Sequence, residues 1–167
     1  MKSLILYINE KLKITNDNIE HINTIYPKNR LELLDIIDDK GKNVTEYMDV
    51  SDIDISDYVD NLGIIFYLND NLTEIDGLET WDVSHVKKMH QMFQNCTKLK
   101  RIDLSTWDVS NVIRFDGMFD GCNNLEYIGD LSKWKIDKDA DLTKMFNGCP
   151  DKLIKSLHKH ILDRIKT

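Results

Sequence analysis

One phrase recurs in this chain at an almost constant interval, and that recurrence limits the fold more than any other feature. Trp81-Asp82-Val83-Ser84-His85-Val86 returns as Trp107-Asp108-Val109-Ser110-Asn111-Val112 and, worn, as Trp134-Lys135-Ile136-Asp137, at nearly equal steps. Eleven residues after each tryptophan stands a Met-Phe pair, ending in Phe93, Phe119 and Phe146. Four residues after each of those methionines stands a cysteine: Cys96, Cys122 and Cys149. Leu72, Leu99 and Leu125 each open an L-x-x-I segment that leads to a tryptophan. A fainter copy runs from Ile53-Asp54-Ile55-Ser56 to Leu62 and Ile65-Phe66. A unit this short cannot bury its own Trp, Met and Phe, so units have to stack, placing like residues over like in a continuous ladder core. That ladder is built on Trp81, Trp107 and Trp134, on Phe66, Phe93, Phe119 and Phe146, and on the cysteines.

Composition fits a folded domain: 41% of the 167 residues are hydrophobic, 31% are charged and two are proline. The net charge of −7 argues against a nucleic-acid partner, which selects a basic surface. No apolar run is longer than Ile64 to Leu68, which is strand-sized, so no membrane insertion is expected. The apolar start Leu4-Ile5-Leu6-Tyr7-Ile8 is interrupted by Asn9-Glu10-Lys11 with no small-residue cleavage site after it, which is unlike an export signal, so a cytoplasmic or virion-associated protein is expected.

Within a repeat, Leu99 to Leu104 carries the L-x-x-L-x-L spacing of a leucine-rich-repeat strand, with Trp107 where Asn or Cys usually stands. Ser110 or Asn111 can then cap a short helix that presents Val112, Phe115 and Phe119 on one face, and Asn95, Gly121 and Gly148 are of the types that end a helix in a left-handed conformation. The segment from Asn29 reads as a helix of about 11 residues that Gly41 ends, Val44 to Val50 as a strand, and Asp151 to Lys166 as one amphipathic helix with Leu153, Leu157, Ile161 and Ile165 every four residues. The predicted fold class is an α/β repeat: a short leucine-rich-repeat solenoid, a parallel strand ladder with short helices, with helical caps at both ends. Its parts are a leader or helix with an extended segment (residues 1–28), an N-terminal cap of helix plus strand (29–52), about four repeats (53–149) and a C-terminal cap helix (150–167).

Chemistry is sparse. The cysteines lie a whole repeat apart with no C-x-x-C or nearby paired histidine, so they read as buried residues and not zinc ligands. His158 and His160, two apart on the predicted helix, fall on roughly opposite faces and are not expected to share a metal. Asp137-Lys138-Asp139-Ala140-Asp141 imitates a calcium loop, but Leu142 and Gly148 occupy the places of its Gly and Glu. No catalytic residues, cofactor or metal are predicted. Exposed positions between the strand leucines form the candidate partner face: Glu74 and Asp76, then Lys100, Arg101 and Asp103, then Glu126 and Tyr127.

The W-D-V-S-x-V, Met-Phe and Cys elements of Trp81 to Cys96 and Trp107 to Cys122 resemble the BspA-type leucine-rich repeat of bacterial surface proteins. That resemblance, over about residues 44–153, implies a solenoid that binds proteins or adheres to surfaces and has no enzymatic activity. Met1 to Leu12 is similar to the leader of proteins packed in tailed-phage capsids, which implies cleavage after Glu10 of Ile8-Asn9-Glu10. The functional expectation is a non-enzymatic protein–protein interaction module whose partner is a protein. The alternatives are a packaged or structural virion protein with a cleavable leader, and a cell-surface adhesin.

Overall fold

The computed structural model describes residues 25–42, 47–55 and 59–165. Helix α1 spans Arg30–Lys42. Its first amides are met by the Asn29 side chain, which accepts from Leu31 N and Glu32 N at 3.0 and 3.1 Å, while Glu32 accepts from Lys28 N at 2.8 Å. Leu33, Ile36 and Ile37 face the core. Strands β1 (Tyr47–Asp49) and β2 (Glu74–Asp76) pair in parallel with Met48 opposite Ile75, so both apolar residues point inward and the flanking Tyr47, Asp49, Glu74 and Asp76 point outward. Of the strand expected over residues 44–50, only β1 is formed among the described residues.

The predicted solenoid, a parallel strand ladder with short helices, is not what forms. Among the described residues the only sheet is the two-stranded β1–β2 pair, and later repeats are joined by isolated parallel bridges in two lines: Glu74 to Arg101 to Tyr127, and Asn61 to Lys88 to Arg114 to Asp141. The segments expected to be short helices are turns. Their backbone explains why. An α-helix needs each N–H to reach the carbonyl four residues back. Here alternate amides leave the segment: Gln91, Phe93 and Asn95 donate to Asp116, Met118 and Asp120 at 2.8–2.9 Å, while Gln94 and Cys96 close three-residue turns onto Gln91 and Phe93.

Two left-handed residues per turn make this possible. They are Ile64 and Leu68, Gln91 and Asn95, Gly117 and Gly121, and Lys144 and Gly148, with φ between 54° and 78°. Asn95, Gly121 and Gly148 thus adopt the left-handed conformation, but they end turns and not helices. At Gly121 a Cβ would run into Asn95 Oδ1 of the preceding turn, so close approach requires glycine there as well as φ.

The C-terminal segment also departs from expectation. Instead of one helix it forms α2 (Asp151–Ser156) and α3 (Lys159–Ile165). Leu157 is extended at φ −65° and ψ 147°, and the Ser156 hydroxyl donates back to Leu153 O at 2.7 Å, which ends α2. Leu153, Leu157 and Ile161 are buried all the same. Arg164, from α3, donates to the carbonyls of Asp137 and Ala140 at 2.5 and 3.0 Å and so satisfies backbone acceptors of the last repeat.

The repeated residues form columns. Phe66, Phe93, Phe119 and Phe146 lie ring over ring at successive centroid distances of 5.2, 5.5 and 5.1 Å, and Trp107 stacks on Trp134 at 6.5 Å. Each tryptophan also reaches back: the indole N–H groups of Trp81, Trp107 and Trp134 donate to the carbonyls of Val50, Leu78 and Leu104 at 3.2, 2.7 and 3.0 Å. The cysteine thiols repeat the device, Cys96 to Phe66 O and Cys122 to Phe93 O at 3.0 Å each, and Cys149 to Phe119 O at 3.3 Å.

Two outcomes follow for stability. Trp107→Ala should cost about 3–5 kcal/mol, and Trp107→Phe, which keeps a ring but loses the indole bond to the Leu78 carbonyl, about 1–3 kcal/mol, so urea midpoints should rank parent, Phe, Ala. Leu68 is 55% exposed and holds φ 59° where its counterparts are Asn95 and Gly121. Leu68→Asn should therefore raise stability by about 1 kcal/mol, read as a higher melting temperature.

Candidate functional site

Parallel register carries one row of outward side chains across four neighbouring segments: Tyr47, Glu74, Arg101 and Tyr127. Asp49, Asp76 and Asp103 stand two residues further along. The inward neighbours Met48, Ile75, Ile102 and Ile128 are buried, which anchors the row from beneath.

Contacts within the row are specific. Arg101 Nε lies 3.3 Å from Glu74 Oε1, and the Arg101 guanidinium carbon sits 4.1 Å from the centroid of the Tyr127 ring. Tyr127 donates its hydroxyl to Asp103 Oδ2 at 3.2 Å, and Tyr47 donates to Asp76 Oδ2 at 2.9 Å. The bond to Asp76, with Asp76, Asp49 and Glu74 as negative neighbours, raises the Tyr47 phenol above its usual value. Burial works against the charge of Asp103, yet hydrogen bonds from Ser105 and Tyr127 and the nearby Arg101 outweigh it and hold the carboxyl below its usual range.

Of the sequence-predicted face, Glu74, Asp76, Arg101, Asp103 and Tyr127 are thus brought together. Lys100 and Glu126 are exposed but precede the row by one residue. Tyr47 was missed. It stands one repeat length before Glu74, as Glu74 does before Arg101, so running the period one step further upstream would have found it. Glu10, the expected cleavage position, lies outside the described residues.

The remaining candidates divide differently. Cys96 and Cys122 are buried and Cys149 is partly so, and burial pushes the Cys96 and Cys149 thiols up to about 12 and Cys122 upward as well. At neutral pH they are protonated donors to the preceding repeat. His158 and His160 do not lie on opposite faces. Because His158 falls in the break between α2 and α3, its Nδ1 comes 2.5 Å from Nδ1 of His160, whose Nε2 contacts Trp134 O at 2.9 Å. Among the described residues no three His, Cys, Asp or Glu gather as a metal set. A shallow groove of about 840 Å³ runs between the Trp107 and Trp134 turns, with Lys133, Lys135 and His160 at its rim.

Asp of the W-D-V-S phrase has a local role. Asp82 and Asp108 accept from the backbone N–H of Ser84 and Ser110 at 2.9 and 3.0 Å, and Asp130 does the same for Ser132. Side-chain hydrogen bonds with Ser84 and Ser110, and then these backbone bonds, lower the carboxyl pKa of Asp82 and Asp108, and for Asp130 the backbone bond leads and the Ser132 side chain follows. A carboxyl held below its unfolded value stabilises the fold above about pH 4 and gives that up as pH falls through the native value. His90 is depressed mainly by burial and secondarily by Arg114, so its neutral form favours the fold above about pH 6.5 and the contribution is lost below it. Melting temperature should therefore slip slightly from pH 7 to pH 5 and fall steeply below pH 4, and His90→Gln should remove the first decline alone.

Among the described residues no helix is long and apolar enough to cross a membrane. Comparison with known families gives a match over residues 40–160 to the family described as Mycoplasma protein of unknown function, DUF285. No curated protein and no solved structure matches.

Proposed function

As the chain belongs to the DUF285 family, whose description names no activity, we propose on the strength of its outward face that it is a non-enzymatic protein-binding module. The observation that carries this reading is the row of Glu74, Arg101 and Tyr127, in which an arginine is held against a tyrosine ring and a carboxylate on an exposed surface. Arg and Tyr are the side chains that most often anchor protein interfaces, because they offer large contact area and directional bonding. Fixing them in advance lowers the ordering cost on binding. The row is backed by buried Ile75, Ile102 and Ile128, so it is presented on packed structure. The likeness of the W-D-V-S-x-V, Met-Phe and Cys phrase to the BspA-type repeat supports the same class of function.

The test is affinity capture from the native lysate with the parent chain and with Arg101→Ala plus Tyr127→Ala. Both positions are exposed, so melting should change by less than about 1 kcal/mol. A protein retained by the parent and lost by the double variant supports the proposal. Equal retention by both chains overturns the assignment of this face.

A further inference from the structure

The break between α2 and α3 brings two imidazoles together. On one continuous helix, residues two apart point to different sides, but the extended backbone at Leu157 turns His158 back so that its Nδ1 meets Nδ1 of His160 at 2.5 Å, with the rings tilted by 53°. One proton of the pair is fixed by its surroundings. His160 Nε2 faces the carbonyl oxygen of Trp134 at 2.9 Å, and a carbonyl only accepts, so Nε2 carries the hydrogen and Nδ1 of the neutral ring keeps its lone pair. That carbonyl belongs to a residue locked in the tryptophan column, with its indole N–H on Leu104 O, so the His160 ring is held in place. A ring nitrogen with a lone pair, oriented by a carbonyl on the opposite N–H, is the form in which histidine binds metals. His158 is exposed, so water reaches the pair.

We propose that His158 and His160 form a two-imidazole site for a divalent transition-metal ion of the zinc and copper class, bound through Nδ1 of each ring with water completing the coordination. Nitrogens on one zinc ion, bonded at about 2.0–2.1 Å in tetrahedral geometry, lie about 3.3 Å apart, so the pair has to open by less than about 1 Å. In the metal-free protein His158 donates its Nδ1 hydrogen to His160. On binding, that proton leaves Nδ1 and one is taken up at Nε2 of the same exposed ring, which stays neutral. Asp130 lies close enough to feel the charge of His158 and lines a small pocket with it, so a carboxylate offsets part of the charge of the ion. Lys133 and Lys135 stand with His160 around the neighbouring groove and oppose a cation held by charge alone. Calcium and magnesium, which need oxygen ligands, are therefore not expected, whereas imidazole suits zinc and copper. Among the described residues no third His, Cys, Asp or Glu joins the pair, so the ion keeps open positions and binds less tightly than at a four-ligand structural site.

The experiment is a zinc titration of the full, tag-free chain near neutral pH, followed by the imidazole nitrogen resonances in NMR. Saturable shifts are expected at Nδ1 of His158 and His160, with His85 and His90 unmoved, and calcium should move none of the four. His158→Gln and, separately, His160→Gln should each weaken zinc at least about tenfold, since even partners that only orient a ligand carry that much. His158→Gln changes an exposed side chain, so its metal-free form should melt close to the parent, which separates lost ligation from lost folding. Saturating zinc should raise the melting temperature of the parent and leave that of His158→Gln unchanged, because the site exists only in the folded chain. Zinc shifts at His85 or His90 with none at the pair, an affinity indifferent to both substitutions, or no saturable binding up to millimolar zinc would each overturn the proposal. The last outcome would reduce the pair to a hydrogen bond that closes the helix break.

Discussion

The recurring buried donors of this chain are answered by carbonyls of the neighbouring repeat. The indole N–H of Trp107 finds Leu78 O, the thiol of Cys122 finds Phe93 O, and the outward-turned amides of the Met-Phe segments find carbonyls one repeat on. Unpaired, each would carry a desolvation cost of the order of 1–3 kcal/mol. The columns of phenylalanine and tryptophan supply burial, but burial alone tolerates sliding of one unit over the next. Directional bonds from Trp and Cys set the register between units, and this explains why residues as distinct as tryptophan and cysteine recur together at one repeat length.

That register is what creates the exposed row. Tyr47, Glu74, Arg101 and Tyr127 are far apart in sequence and share no local motif, yet adjacent segments bring them side by side. Their contacts are consequences of spacing: an arginine beside a tyrosine and a carboxylate stacks on the one and pairs with the other. The Asp-Ser turns act in the same direction by holding the backbone at the edges of the row, as Asp103 does through Ser105.

Much of the core was legible in the sequence. The repeated tryptophans, phenylalanines and two of the cysteines are buried, and α1 begins one residue after Asn29, the capping residue. The turn segments were misread. Val112, Phe115 and Phe119 have helical spacing and are all buried, but the spacing of buried residues does not reveal where backbone amides go, and here they go to the neighbour. Gly117 with Gly121 is the residual signal, since two glycines four apart suit paired left-handed positions. Gln91, Ile64 and Lys144 at the matching places conceal it. The same limit applies to the C-terminus, where a stripe of Leu153, Leu157 and Ile161 stays buried across a helix break.

The sequence by itself determined that its short repeated units must pack on one another, because the Trp, Met, Phe and Cys of a single unit have nowhere else to be buried. It also determined the acidic balance of the chain. Only the tertiary structure decided that those units meet through turns and isolated bridges in place of a continuous sheet with helices. It alone set Tyr47 in line with Tyr127 and Arg101 between a ring and a carboxylate. The physical reason is that apolar periodicity reports which side chains leave water, whereas hydrogen-bond partners and side-chain pairings across repeats exist only once neighbouring backbones have taken up their register.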